Sequence, residues 1–331
     1  MKRNIALLVV LALLFGIGAV IRPDLYSDPA WVVNNTWVIL QQAAAIGVVT
    51  IGMTFVIIGG GIDLSVGALI ALAGVWSTTV ATQAFGAGGM IFCALAVGLG
   101  AGLVNGGLIA YGRLVPFIAT LAMLVAARGL AAQISGKQTQ VSGNEFINSI
   151  ARTRPLGIPM LVLILAAVAG AAWVLLNRTT FGRRTVAIGG NAEAARLAGI
   201  NVRRHTMLLY ALSGICCGIA AIMLTSLATS SQAAAAELYE LDAIAAAIIG
   251  GTLLTGGRGT IVGSLIGVVV FSTITNLFAI ANLATEVQNM VKGGIIVLAV
   301  LVQHGGFHES TLSAWRRLAG RGSRLERSVH Q

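Results

Sequence analysis

Charged residues are scarce in this chain. They account for 10% of its 331 residues, whereas hydrophobic residues account for 57%, and the mean hydropathy is +0.90. A soluble domain carries about 25% charged residues, because its surface must be hydrated. The composition therefore excludes an ordinary soluble protein and predicts that lipid is the main solvent. At about 20 residues per span plus connections, the length accommodates about ten transmembrane helices.

Proline, cysteine and the usual cofactor motifs are also rare or missing. Five prolines stand against 42 glycines, a ratio that fits helices packed closely through small residues. Cys93, Cys216 and Cys217 lie within apolar runs without zinc-ligand spacing, so we expect them to be packing residues. The chain has no Walker sequence, no metal-binding constellation and no Ser/His pair. We therefore expect no cofactor, no nucleotide and no enzymatic activity on this chain itself.

Hydrophobic residues are concentrated in ten runs that we expect to cross a bilayer as helices. The runs cover residues 5–21, 37–58, 62–82, 90–111, 116–134, 159–176, 207–229, 241–254, 260–280 and 287–302. No Ala-x-Ala cleavage sequence follows the first run, so it is predicted to be an uncleaved helix. The prediction is an all-α, polytopic transmembrane domain over residues 1–303, followed by a basic tail over residues 304–331 that anchors at the lipid surface.

The formal net charge of +10 does not indicate a nucleic-acid partner, because the charges lie at the ends of the apolar runs. With ten spans and the N-terminus in the cytoplasm, most of the 21 basic residues fall in cytoplasmic segments. The outer loops then hold only Arg22, Lys137, Arg152 and Arg154. By the positive-inside rule, this bias predicts that both termini are cytoplasmic.

Asp63 is the one acidic residue in the middle of an otherwise apolar stretch, directly after three consecutive glycines. A carboxylate at bilayer depth costs about 2.5–3.5 kcal/mol on insertion scales. One interpretation is a short cytoplasmic turn in which Asp63 is the N-cap of the next helix. The other is a broken-helix element near a translocation path, where Asp63 stabilises a gate or contacts a polar solute. The two interpretations are compatible.

A second glycine-rich stretch covers residues 250–259 and follows Glu240 and Asp242. A tight inner turn between two spans is the default interpretation, although two such turns, one in each half of the chain, can mark a path at the membrane midplane. Arg128 is an intramembrane cation. We expect it to form a structural ion pair with Asp242 or Glu240, the alternatives being snorkelling toward the outer face or contact with solute.

The longest internal polar segment covers residues 178–205. Asn191 is a good N-cap, Glu193 suits the positive end of a helix and Gly199 can end it. We therefore predict a short helix over residues 191–199 with a face of small and apolar side chains. Such a helix can lie at the membrane surface or dock in a groove of a cytoplasmic partner.

These segments together resemble ribose-type permeases of the carbohydrate-uptake ABC importers, the second carbohydrate-uptake class. The similarity covers about residues 5–303 and is most specific at residues 60–67, with further matches at 120–121, 128–129, 181–201 and 240–263. Within that class the chain looks nearest to the galactofuranose-type permeases. The resemblance implies a type II importer fold of about ten helices, a second copy or paralogue of the permease, a separate ATPase that binds ATP, and a periplasmic sugar-binding protein, all at a bacterial inner membrane.

The resemblance also assigns candidate residues. It implies that Asp63 and Ser65 belong to the gate, and a neutral monosaccharide path would be lined by hydrogen-bonding groups such as Asn105 and Thr120. With Arg128, Glu240 and Asp242, these residues form the predicted path. The residues predicted to couple to the ATPase are Arg184, Gly189, Gly190, Asn191, Ala194, Arg196 and Gly199.

An ion-coupled secondary transporter is the alternative function. It would require paired intramembrane acids or a charge relay. Asp63 alone qualifies clearly, and the four histidines flank the predicted spans. The sequence therefore favours the ATP-driven importer.

Overall fold

The computed structural model describes residues 2–303, and of residues 2–4, 302 and 303 it describes the backbone alone. The predicted basic tail at residues 304–331 lies outside this part of the chain. The helices are α1 (Lys2–Ile21), α2 (Pro23–Tyr26), α3 (Pro29–Ile58), α4 (Val66–Ser77), α5 (Val80–Gln83), α6 (Gly86–Ala110), α7 (Pro116–Ser135), α8 (Glu145–Ile150), α9 (Met160–Arg178), α10 (Thr180–Gly190), α11 (Ala192–Leu197), α12 (Val202–Ala228), α13 (Tyr239–Ile249), α14 (Ile261–Ile280) and α15 (Thr285–Gln303).

Two short strands, β1 (Gln140–Val141) and β2 (Ser230–Ser231), form an antiparallel pair in which Gln140 lies opposite Ser231. A single 3₁₀ turn covers Pro155–Gly157. The chain divides into two units, residues 1–283 and residues 284–331. In the second unit the structure describes α15, a helix of 19 residues.

Among the described residues, six helices are long and apolar enough to cross a membrane: α3, α6, α7, α9, α12 and α14. Each of the ten predicted runs overlaps a helix, and the run at 62–82 overlaps both α4 and α5, but α4 has 12 residues and α13 has 11. At 1.5 Å per residue these two are about 16–18 Å long, roughly half of the hydrocarbon thickness. The structure therefore bears out an all-α, polytopic membrane architecture without establishing ten full spans.

The centre of the first unit is built on α3 and α12. Every residue of α3 from Ala43 to Ile58 is buried, whereas most of the surface of α9 is exposed. Helix α12 packs against α6 through glycines. A Cβ at Gly98 would collide with the carbonyl oxygen of Gly214. This close backbone approach is the packing that small residues allow between membrane helices.

Helix α3 begins at Pro29, earlier than the apolar run at 37–58 predicted. Asn35, one of the polar residues that interrupted the run, is buried inside the protein. Asn35 on α3 and Asn276 on α14 exchange two side-chain hydrogen bonds of 3.1 Å. A reciprocal amide pair satisfies the donors and acceptors that would be costly to leave free in an apolar interior.

Candidate functional site

The turn between α3 and α4 contains a buried polar cluster centred on Asp63. One carboxylate oxygen of Asp63 accepts hydrogen bonds from the Ser65 amide at 3.0 Å and the Ser65 hydroxyl at 2.6 Å. The other oxygen accepts from the Ser213 hydroxyl at 2.9 Å. Asp63 has no exposed surface.

The cluster joins three helices. Asn105 on α6 donates to the Ser65 hydroxyl at 2.9 Å, Ser213 belongs to α12, and Ser65 directly precedes α4. Tyr210 on α12 donates to the carbonyl of Ile62 at 3.2 Å. The Oδ1 atom of Asn105 is buried without a hydrogen-bond partner in the described part of the chain.

The interpretation of Asp63 as the N-cap of the next helix is wrong. Helix α4 begins at Val66, and its N-cap residue is Ser65. The carboxylate instead holds the turn before the helix. The structure brings Asp63, Ser65 and Asn105 together through hydrogen bonds, and their role at a gate stays a prediction. Thr120 is not part of the cluster, since its hydroxyl donates to the carbonyl of Pro116 within α7 at 2.8 Å.

Arg128 does not form the predicted ion pair with Glu240 or Asp242. Its guanidinium donates instead to the carbonyl oxygens of Ala233 and Ala235, at 2.6 and 2.7 Å. The Glu240 carboxylate acts on Arg128 electrostatically, but its Oε2 atom is buried without a hydrogen-bond partner among the described residues. The carbonyl oxygens of Ala233 and Ala235 are available to Arg128 because the segment before α13 is not helical and does not engage them in helical hydrogen bonds.

That segment, residues 229–238, contains the two-residue strand β2 and is otherwise irregular. Thr229, Ala236 and Leu238 have φ angles of 52°, 53° and 66°. The left-handed region costs a residue other than glycine about 1–2 kcal/mol. Positions of this kind persist only where the surroundings hold them, and they are concentrated at functional sites.

A backbone junction connects the Asp63 turn with the other two glycine-rich segments. The amide of Gly257 donates to the carbonyl of Ile58 at 2.8 Å. A Cβ at Gly189 would collide with this carbonyl oxygen and would lie 2.6 Å from the Gly257 nitrogen. A Cβ at Gly256 would lie 2.8 Å from the carbonyl oxygen of Gly189 and 3.1 Å from the Cα of Gly60. The end of α10, the 59–65 turn and the 250–260 turn therefore meet without intervening side chains, and we call this contact the glycine junction.

Helix α10 is also attached through side chains. The hydroxyl of Thr185, which is fully buried, lies 2.8 Å from Nε2 of His205 on α12. The Phe181 ring packs against the His205 ring at 4.5 Å and against the Phe55 ring of α3 at 6.1 Å. A movement of α10 would thus displace α3 and α12 together.

The short helix predicted from the polar segment is confirmed as α11. The Asn191 side chain accepts from the amide of Ala194 at 2.9 Å, as an N-cap does. Glu193 and Arg196 form an exposed ion pair one turn apart. Gly199, with φ of +81°, follows the end of the helix. Arg184 lines an adjacent cavity of about 320 Å³ together with Arg204.

A helical membrane protein with an unwound internal segment, a buried polar cluster and a short exposed helix has features found in transporters. Residues 35–300 match the family described as branched-chain amino acid transport system / permease component. The chain belongs to this family. No solved structure matches the chain.

Three relatives illustrate the similarity. The ribose import permease protein RbsC of Escherichia coli is 38% identical over 307 residues, 92% of this chain and 93% of the relative. RbsC of Bacillus subtilis is 41% identical over 296 residues, which are 86% of this chain and 87% of the relative. The galactofuranose transporter permease protein YtfT of Escherichia coli is 36% identical over 270 residues, which are 81% of this chain and 79% of the relative. The resemblance to permeases of carbohydrate-uptake importers is confirmed, but these values do not favour galactofuranose-type over ribose-type permeases.

Proposed function

We propose that this chain is the membrane-spanning subunit of an ATP-driven importer that carries a monosaccharide of the ribose, xylose or galactofuranose kind. The relatives of the chain support this cargo, since they include ribose, galactofuranose and xylose permeases. The ion-coupled alternative has no support from these relatives. The ATP would be bound and hydrolysed by a separate ATPase subunit, and a periplasmic binding protein would deliver the sugar.

The topology we propose has ten spans in a bacterial inner membrane, with both termini in the cytoplasm. The charge distribution supports it, because α10, α11 and the first turn of α12 carry five arginines: Arg183, Arg184, Arg196, Arg203 and Arg204. In this topology the 59–65 turn, the α10–α11 segment and the 250–260 turn all lie on the cytoplasmic side. Their meeting at the glycine junction agrees with that arrangement.

The observation that carries the mechanism is the glycine junction. In our proposal the ATPase binds α10 and α11. The contact residues are Asn191, Ala194, Arg196 and Gly199, and Arg184 lies beside them. A displacement of α10 is passed at Gly189 and Gly190 to the backbone of the other two turns. The Asp63 turn and α13 then shift together, which opens the bundle alternately to each side. A second copy or paralogue of the permease completes the path.

A reconstitution experiment tests this function. The chain is placed in proteoliposomes with its ATPase and binding protein, and uptake of labelled D-ribose, D-xylose and L-leucine is measured with and without ATP. We expect ATP-dependent uptake of a sugar that vanishes when the ATPase is omitted. Uptake of leucine but of neither sugar would contradict the proposal that the cargo is a monosaccharide. Sugar uptake by the chain alone, or its collapse with an uncoupler at constant ATP, would favour the ion-coupled transporter.

A further inference from the structure

We propose that the irregular segment before α13, held in place by Arg128, forms the surface that contacts the sugar during translocation, with Gln232 and Glu237 as the contact side chains. The proposal rests on the proposed transport function and names the part of the path that meets the solute. It differs from the sequence-based prediction, because Ser65, Asn105 and Thr120 are fully buried between helices in this structure.

The segment lies deep in the helical bundle. A Cβ at Gly74 of α4 would collide with the Ser231 hydroxyl, and a Cβ at Gly67 would collide with Ala236 and meet Glu240. Between these contacts the segment follows α4 for seven residues, about 10 Å along the helix axis. It therefore descends from the β1–β2 pair toward the level at which α4 begins.

Arg128 gives an independent measure of this depth. It lies in the second half of α7, seven residues before the C-terminal end at Ser135, which corresponds to about 10 Å. Its bonds to Ala233 and Ala235 hold the segment at the same level. Backbone without helical hydrogen bonding is tolerated at membrane depth only where it is buried in protein or lines a water-filled cavity.

The segment is only partly buried. Gln232, Ala234, Glu237 and Leu238 are exposed, whereas Ser231 and Glu240 at its two ends are buried. Glu237 lies two residues after Ala235, whose carbonyl oxygen accepts a hydrogen bond from Arg128, so the acid and the cation share one region. Exposed ionisable groups at this depth face the interior of a bundle or an aqueous cavity rather than lipid.

The chemistry of the exposed groups suits a neutral polyhydroxylated solute. Each sugar hydroxyl both donates and accepts hydrogen bonds. A carboxylate accepts, an amide donates and accepts, and a guanidinium donates through several N–H groups. Glu237, Gln232 and the remaining N–H groups of Arg128 thus offer complementary partners to adjacent hydroxyls. Arg128 is in addition a positioning residue, since it fixes the backbone that carries the other two.

Cysteine labelling tests this assignment. Gln232→Cys and Glu237→Cys are made in a Cys93→Ser background, in which Cys216 and Cys217 remain buried. The reconstituted complex is treated with a charged, membrane-impermeant methanethiosulfonate during ATP-driven turnover. The control is Leu13→Cys, at an exposed position in the middle of α1. We expect the two segment positions to react about tenfold faster than the control, because the reactive thiolate exists in water and not in lipid.

Protection by substrate then tests contact. Whichever of D-ribose and D-xylose the same proteoliposomes take up should slow labelling at both positions. Labelling no faster than at Leu13→Cys would overturn the proposal, as would a spontaneous disulfide between two copies in place of labelling. If a transported sugar did not slow labelling, the proposed contact between the segment and the sugar would be wrong. Failure of the proposed function is separately visible, because no sugar would then be taken up.

Discussion

The backbone amide of Gly257 donates a 2.8 Å hydrogen bond to the carbonyl oxygen of Ile58, and Gly189 packs against both atoms. Ile58 is the last residue of α3 and Gly257 precedes α14, so this one bond ties together two helices that are remote in sequence. The third participant is the end of α10, the helix next to the exposed α11. The contact is made by backbone alone and leaves no room for a side chain at Gly189.

The Asp63 cluster should make a large contribution to stability. Asp63→Ala leaves the Ser65 amide and the Ser213 hydroxyl without their acceptor, and we expect a loss of about 2–4 kcal/mol. Ser213→Ala removes one bond and should cost about 1–2 kcal/mol. Thermal unfolding in detergent can be followed with a thiol-reactive dye, since Cys216 and Cys217 are buried in the folded chain.

The control for these variants is Ser27→Ala, which changes an exposed serine and should alter stability by less than about 0.5 kcal/mol. If Ser213→Ala proved as stable as this control, the bond from Ser213 to Asp63 would have no energetic importance. The cluster would then not be the element that fixes the Asp63 turn.

Sequence reasoning found Asp63 because a lone carboxylate in an apolar stretch is conspicuous. It found Asn191, Glu193 and Gly199 because capping residues have strong local preferences. It missed Ser213 and Tyr210, since a serine or tyrosine within an apolar helix has no local signature and only the packing of α12 against α4 brings them to Asp63.

Two further errors have the same physical origin. The ion pair expected for Arg128 required an acidic partner, but the nearest acceptors are carbonyls that an irregular backbone leaves free, and no pattern in the alanine-rich stretch at 233–236 indicates that irregularity. Helix α3 was predicted too short because Asn35 interrupts the apolar run. Its partner Asn276 lies far away in sequence, so their pairing is a tertiary effect.

The N-cap of α11 should affect coupling through local helix stability. Asn191→Ala removes the acceptor for the Ala194 amide and should cost about 1 kcal/mol, which lowers the ratio of folded to unfolded helix about fivefold. Asn191→Asp keeps an acceptor and is the matched control. Co-purification with the ATPase and ATP-driven uptake should both fall for the alanine variant and persist for the aspartate variant. Equal loss in the two variants would show that the amide itself, and not the cap, is required.

The Thr185–His205 contact should hold α10 to α12. Thr185→Val keeps the shape of the side chain but leaves the buried His205 nitrogen without its 2.8 Å partner, at an expected cost of about 1–2 kcal/mol. We expect less sugar transported per ATP hydrolysed, because α10 is then less firmly attached. Thr36→Val is the control, since that hydroxyl bonds only to the carbonyl of Val32 in its own helix. An unchanged transport ratio in Thr185→Val would exclude this contact from the coupling route.

The most direct measurement compares transport with ATP hydrolysis in Gly189→Ala. The added methyl group collides with the carbonyl of Ile58, whereas the Cβ in the control Gly170→Ala meets nothing within 4 Å. In reconstituted complexes of equal amount, we predict that Gly189→Ala loses sugar uptake while its ATPase partner still binds and hydrolyses ATP, and that Gly170→Ala retains both activities. Full sugar uptake per ATP in Gly189→Ala would contradict the account, because the glycine junction would then not transmit the motion of α10.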